Sequence, residues 1–156
     1  MINENLSLGR ALGFTLRMYT KKLHEMFEEA ELDLTIEQFV LLNIVHHHKK
    51  DLVTQIEVSN MLGKDKSAVL RHIDYLENNQ WLCRNDDMND RRRKILVLTK
   101  KGEIHLQKAR LLEQKLTKTV LKNVNKDQTT KFMQTMDNIL ANIFELDENS
   151  QELKNI

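Results

Sequence analysis

The residues Lys64, Lys66, Ser67, Ala68, Leu70 and Arg71 combine two kinds of recognition chemistry in one short stretch. Lys66 and Arg71 can donate hydrogen bonds to guanine or to phosphate, Ser67 can bond either, and Ala68 or Leu70 can meet a thymine methyl. A second stretch, Asp90-Arg91-Arg92-Arg93-Lys94, sets four consecutive cations behind one carboxylate. A compact cationic tip suits insertion of an arginine into the narrow, electronegative minor groove of a duplex. Asp90 alone would weaken phosphate binding, so its expected role is to orient a neighbour, Arg92 first, through a charge-assisted bond. Asp74, one turn after Arg71, is expected either to steer that guanidinium or to be a plain surface charge.

Such residues need elements to aim them. Val69, Ile73 and Leu76 share one face of a helix expected from Lys66 to about Asn79, with Asp65 as its N-cap, and would pin that helix to a core. Gly63 can turn the chain just before it. Ahead of the turn, Thr54 followed by Glu57 has capping-box spacing and opens a short helix that carries Ile56, Val58, Met61 and Leu62. Two short helices joined by a tight turn result. Alone, the second reads equally well as an ordinary surface helix; the cationic stretch downstream separates the two readings. That stretch lies between Trp81–Arg84 and Lys94–Leu98, whose residues suit two strands of a hairpin with a long charged tip.

Longer helices flank this lobe. Leu8, Leu12, Leu16, Tyr19, Leu23, Met26, Phe27 and Ala30 step by three or four along a helix over Leu6–Ala30. Thr35 with Gln38 repeats the capping-box spacing and starts a helix to about His46, with Ile36, Phe39, Val40 and Ile44 buried. Leu52 and Val53 suit a short strand. After Thr99, apolar periodicity runs through Ile104, Leu106, Ala109, Leu112, Leu116, Val120 and Val124, then from Phe132 to Leu146. A break at Asn125–Asp127 divides a fifth helix from a sixth. The expected fold is mainly α (α+β), a winged helix-turn-helix lobe over about 35–99 with long helices over about 6–30 and 100–148, all in a single domain spanning 1–156.

Composition agrees with this class. Of 156 residues, 40% are hydrophobic, 30% charged and 5% aromatic, with four glycines and no proline, a balance that favours helix. The net charge is only +1, but seven basic residues from Arg84 to Lys101 face just Asp86, Asp87 and Asp90. Cys83 is the single cysteine, which leaves neither an internal disulfide nor a cysteine metal cluster. Asn3, Glu4, Asn5 and Arg10 interrupt any apolar leader, and no run reaches membrane-spanning length, so a soluble cytoplasmic protein is expected. The chain presents no nucleophile–base pair, paired carboxylates or phosphate-binding glycine loop, so an enzyme is not expected.

The chain resembles the MarR family of bacterial transcriptional regulators. The resemblance is carried by Gly63-Lys-Asp-Lys-Ser-Ala-Val-Leu-Arg-His-Ile-Asp-Tyr-Leu-Glu77 and by Asp90-Arg-Arg-Arg-Lys-Ile-Leu-Val-Leu-Thr-Lys-Lys-Gly102. It implies a triangular homodimer with interlocked first, fifth and sixth helices, bound to double-stranded DNA. Two recognition helices would then read a pseudo-palindrome with half-sites roughly 34–36 Å apart. The family's wing aspartate and arginine fall on Asp90 and Arg92, and its recognition-helix contacts on Lys66, Ser67, Ala68 and Arg71. The resemblance also implies a repressor without a cofactor, released by a small aromatic or other hydrophobic effector bound between the dimerisation helices and the DNA-binding lobe. The other reading is a winged-helix module that docks an acidic protein and no longer binds DNA. One departure is Gln80, where the family often has glycine; Asn78 and Asn79 precede it, and asparagine reaches the left-handed conformation cheaply, so the turn should survive.

Three further features invite chemistry and are read as structural. His46, His47 and His48 are consecutive and point in different directions, which suits helix termination better than a shared metal; His24 and His105 could join only a site whose other expected positions hold Phe39 and Val40. Cys83 beside Arg84 could have a lowered pKa but is expected to pack as a small strand residue. Met18, Met26, Met133 and Met136 lie at core spacing.

Overall fold

A computed structural model of the chain describes residues 7–49, 52–88, 90 and 93–153, with side chains to Leu146 in the last helix. The elements run α1 (Leu8–Glu29), α2 (Ile36–His47), β1 (Val53–Thr54), α3 (Gln55–Leu62), α4 (Lys66–Asn78), β2 (Leu82–Asp86), β3 (Lys94–Leu98), α5 (Lys100–Val120) and α6 (Lys126–Leu153). The strands form an antiparallel sheet in the order β1-β3-β2. Cys83 pairs with Val97 and Asp86 with Lys94 in the hairpin, and Thr54 pairs with Ile95 across β1 and β3. This is the expected winged helix-turn-helix with long helices before and after it.

The chain divides into two compact units, residues 1–116 and 117–156. In the first, Leu23 and Phe27 of α1, Leu41, Leu42 and Val45 of α2, Val69, Ile73 and Leu76 of α4, and Leu106 and Ala109 of α5 belong to one buried cluster with Trp81, Leu82 and Leu96. Phe27 meets Phe39 edge-on, ring centroids 5.5 Å apart. Full burial of a Val, Ile or Leu side chain contributes about 1.5–3 kcal/mol, so the inner face of α4 alone holds that helix firmly.

The ends of these helices follow local chemistry. Thr35 accepts from the Gln38 amide at 3.2 Å while Gln38 Oε1 accepts from the Thr35 amide at 2.9 Å. Thr54 and Glu57 repeat the exchange at the start of α3, at 3.3 and 2.7 Å. In the second unit Asn125 and Gln128 make a third such pair, both bonds at 2.9 Å, and start α6. Each pair satisfies amide donors that the first helical turn leaves without intrahelical partners.

In several places the structure departs from the expected faces and bounds. Leu8 and Leu16 are exposed, so α1 buries only its C-terminal half, through Leu23 and Phe27. In α2 the buried apolar residues are Phe39, Leu41, Leu42 and Val45, while Val40 is 38% exposed. The reason is placement: α2 packs against α1, α3, α4 and β3, so its apolar residues surround the axis and one edge is left over. Ile56 and Met61 are exposed because α3, eight residues long, turns only Val58 and Ser59 fully inward. Leu52 lies outside β1, exposed and at φ 55°, and Trp81 precedes β2. In α6, Phe132, Met133, Leu140, Ile143 and Phe144 are exposed, an uncovered apolar stripe.

Candidate nucleic-acid interface

The turn between α3 and α4 is built on Gly63, at φ 58° and ψ 30°. A side chain there would strain the left-handed backbone, and the turn is closed by the Lys64 amide donating to the Ser59 carbonyl at 3.1 Å. Asp65 then caps α4, accepting from the amides of Ser67 at 3.0 Å and Ala68 at 3.1 Å and from the Ser67 hydroxyl at 2.8 Å. These bonds, the Ser67 amide foremost, hold its carboxyl below the ordinary range. With its proton given to Asp65, Ser67 offers lone pairs outward and reads as an acceptor.

Beyond the cap, Val69, Ile73 and Leu76 are fully buried, and Lys66, Ser67, Leu70 and Arg71 lie exposed, with Ala68 half-buried among them. Five of the six expected α4-region residues therefore share an outward edge at the helix N-terminus. Lys64 differs: its ammonium reaches back to Glu37 of α2 at 3.5 Å. Among the described residues neither Lys66 nor Arg71 makes an ion pair.

The wing is tied down by charge. The Asp87 amide donates to the Arg93 carbonyl at 3.1 Å and the Arg93 amide to the Asp90 carbonyl at 2.9 Å, closing the loop. Arg93 lies 3.3 Å from Glu57 of α3 and 3.8 Å from Asp87, and Lys94 pairs with Asp86. Arg91 and Arg92 lie outside the described residues, and with them the expected bond from Asp90 to Arg92. Asp74 holds Arg84 of β2 at 2.5 Å, not Arg71, and Glu77 takes the other guanidinium nitrogen. Asp74 and Glu77 stand three apart on the side of α4 that faces β2, which is why the strand arginine captures both. Arg84 is thus a bracing residue that the sequence reading overlooked; the i, i+3 acidic pair was its only signal.

Behind the wing, the Thr-x-x-Gly pattern has a packing cause. The Thr99 amide donates to the Trp81 carbonyl at 3.2 Å, its hydroxyl donates to the Gln80 carbonyl at 2.6 Å, and the same oxygen accepts from the Gly102 amide at 3.0 Å. A Cβ on Gly102 would sit 1.8 Å from the Trp81 carbonyl oxygen. The left-handed residue ahead of Trp81 is Gln80 itself, at φ 60°, while Asn79 stays at φ −82°. This corrects the expectation that an asparagine would make the turn. The Trp81 amide donates to Leu76 at 2.9 Å and the Gln80 amide to Glu77 at 2.8 Å, a Schellman ending whose geometry requires the left-handed residue at that place.

The remaining candidates are absorbed by packing. Cys83 is half-buried with its thiol 3.6 Å from the Val97 carbonyl, and Arg84 beside it is engaged by carboxylates. His105 stacks on Trp81, centroids 3.9 Å apart and planes 23° apart, and burial lowers its pKa, with Lys108 and Lys101 adding to the shift. His47 lies 3.5 Å from Arg110. Among the described residues no three His, Cys, Asp or Glu side chains gather to hold a metal, and no helix is long and apolar enough to cross a membrane. An open groove of about 770 Å³ runs between α1 and α2, with Leu16, Ile36, Val40 and Leu62 along it and Arg17, Lys21 and Lys64 among its polar lining.

Comparison with known proteins points one way. Residues 34–94 match the model of the MarR family. Wild-type apo MarR from E. coli is 25% identical with a TM-score of 0.74, the match covering 88% of this chain and 99% of that one. A further MarR structure is 20% identical with a TM-score of 0.81, covering 96% and 99%. The MepR–DNA complex of S. aureus is 18% identical with a TM-score of 0.77, covering 90% and 99%.

Proposed function

We propose that the chain, whose residues 34–94 match the MarR family model, is a cytoplasmic transcriptional regulator that binds double-stranded DNA as a homodimer. The observation that carries this reading is the outward edge of α4: Lys66, Ser67 and Arg71 are exposed at its N-terminus while Val69, Ile73 and Leu76 fix its reverse face in the core. A helix pinned this way can lie in the major groove with donors and acceptors at base edges. The wing beside it would track the adjacent minor groove. The MepR–DNA complex, of the same fold, supports the mode of binding.

Dimerisation is supported by the exposed apolar residues of α6 and, separately, by Phe14, Leu16 and Met18 of α1. Stripes of that size need a cover, and a second copy supplies one. The groove along α1 is the proposed effector site. Its apolar residues beside Arg17, Lys21 and Lys64 suit a small aromatic or otherwise hydrophobic anion. A ligand carboxylate there would compete with Glu37 for Lys64, which sits two residues before α4. Effector binding would thereby reach the turn that aims the recognition helix, the behaviour expected of a repressor released by its ligand.

The test is selection of bound duplexes from a random DNA pool. The expected outcome is an enriched inverted repeat with half-site centres about 10–10.5 base pairs, or a multiple, apart. No enrichment, with binding instead to an acidic protein, would overturn the reading in favour of a protein-docking module.

A further inference from the structure

Among the described cations of the wing, Arg93 stands apart in what it touches. Its guanidinium lies 3.3 Å from Glu57 Oε1, and its backbone closes the wing loop in both directions, to Asp87 and to Asp90. Glu57 is held in turn. Its other carboxylate oxygen accepts from the Thr54 amide at 2.7 Å and the Thr54 hydroxyl at 2.9 Å. Thr54 pairs with Ile95 of β3, two residues beyond Arg93. The bond from the Thr54 amide, then that from its hydroxyl, keeps Glu57 below the ordinary carboxyl range and so ionised. One carboxylate therefore joins the start of α3, strand β1 and the root of the wing.

We infer that Glu57 is the positioning residue that seats the wing on the helix-turn-helix, gripping it through Arg93, and that Arg93 aids DNA binding by this hold rather than by touching phosphate. The inference rests on the DNA-binding reading above. It reassigns one residue expected from the sequence to meet DNA. Two carboxylates, Glu57 and Asp87, compete with any phosphate for this guanidinium, and its backbone bonds fix where it starts. Arg84, held by Asp74 and Glu77, braces the opposite strand against α4 in the same way, so each helix of the helix-turn-helix grips one strand of the hairpin.

Glu57→Gln separates the strut from the cap. Glutamine keeps an acceptor for the Thr54 amide, as Gln38 does for Thr35 in this chain at 2.9 Å, and loses the charge that holds Arg93. Wild type, Glu57→Gln, Arg93→Gln and the double variant would be titrated onto one duplex at several salt concentrations. Hydrogen exchange of the Asp87 and Arg93 amides would be followed without DNA. The expected result is that each single change weakens binding by roughly threefold or more, that the double variant is no weaker than either single, and that the salt slope stays at the wild-type value. Both amides should exchange faster in both single variants. Additive losses, or a slope reduced by about 0.9 in Arg93→Gln, would show a phosphate contact and overturn the inference. If wild type binds no DNA, the functional reading fails on its own. The exchange rates then still decide the strut, and unchanged rates in both single variants refute it.

Discussion

Replacing Gly102 by alanine sets two physical effects against each other, and the geometry decides between them. Gly102 occupies the first turn of α5, where alanine is the better helix former by up to about 1 kcal/mol. The added Cβ, however, would lie 1.8 Å from the Trp81 carbonyl oxygen and 2.7 Å from its carbon, both backbone atoms that cannot rotate away. Relief requires α5 and the Trp81 segment to move apart. Such overpacking costs about 1–3 kcal/mol. The movement would also stretch the bonds from Thr99 to the carbonyls of Trp81 and Gln80, now 3.2 and 2.6 Å, at about 1 kcal/mol each. The net loss is about 2–4 kcal/mol, a large part of the stability of an ordinary domain. Urea unfolding followed by circular dichroism would read it as a midpoint lowered by roughly 1–2 M at a slope of about 2 kcal/mol/M. A midpoint equal to or above wild type would mean that helix propensity governs the position and that the contact with Trp81 is not close.

Other outcomes follow from the same junction and its surroundings. Gln80→Gly should raise stability by roughly 0.5 kcal/mol, since it removes a side chain from left-handed backbone at the expense of some unfolded-state entropy; a lowered urea midpoint would contradict the Schellman assignment. Thr54→Ala should cost about 1 kcal/mol by removing the α3 cap, and a change within error would show that Glu57 alone secures that end. His105 has a folded pKa below its ordinary value near 6.5 because of burial, so the unfolded chain binds more protons just below that pH. Its contribution is complete above about pH 6.5 and declines as pH falls through the folded value. His46, also lowered by burial, acts in the same direction, whereas Glu113, raised by burial, opposes it. The melting temperature of His105→Phe, which keeps a ring on Trp81, should therefore fall less than that of wild type between pH 7.5 and 5.5; parallel profiles would refute the assignment.

What could be read from the sequence was what is local. Thr35 with Gln38 and Thr54 with Glu57 state their capping geometry in residue type and spacing, and both pairs form. Val69, Ile73 and Leu76 likewise define a face by period alone. Harder to read were pairings between elements. Nothing near Asp74 says that Arg84, ten residues on, will take it in preference to Arg71. Helical period also misjudges a helix packed on several sides, as α2 is, and one whose apolar residues stay exposed, as Leu8 and Leu16 of α1 do. At Gln80 residue preference pointed to the neighbouring asparagines, but the hydrogen bonds of the helix ending fix the left-handed place by position. Gly102 was visible as a motif, and only the Trp81 carbonyl explains why the motif needs glycine.

Whether the N-terminal edge of α4 reads DNA is decided by fluorescence anisotropy of a duplex selected from the random pool, titrated with wild type and Arg71→Ala. Wild-type affinity should fall linearly on a log–log plot against salt, with a slope of about −0.9 for each phosphate neutralised, and Arg71→Ala should bind more weakly and discriminate less between that duplex and a scrambled one. Equal affinity and equal discrimination in the two proteins would contradict it.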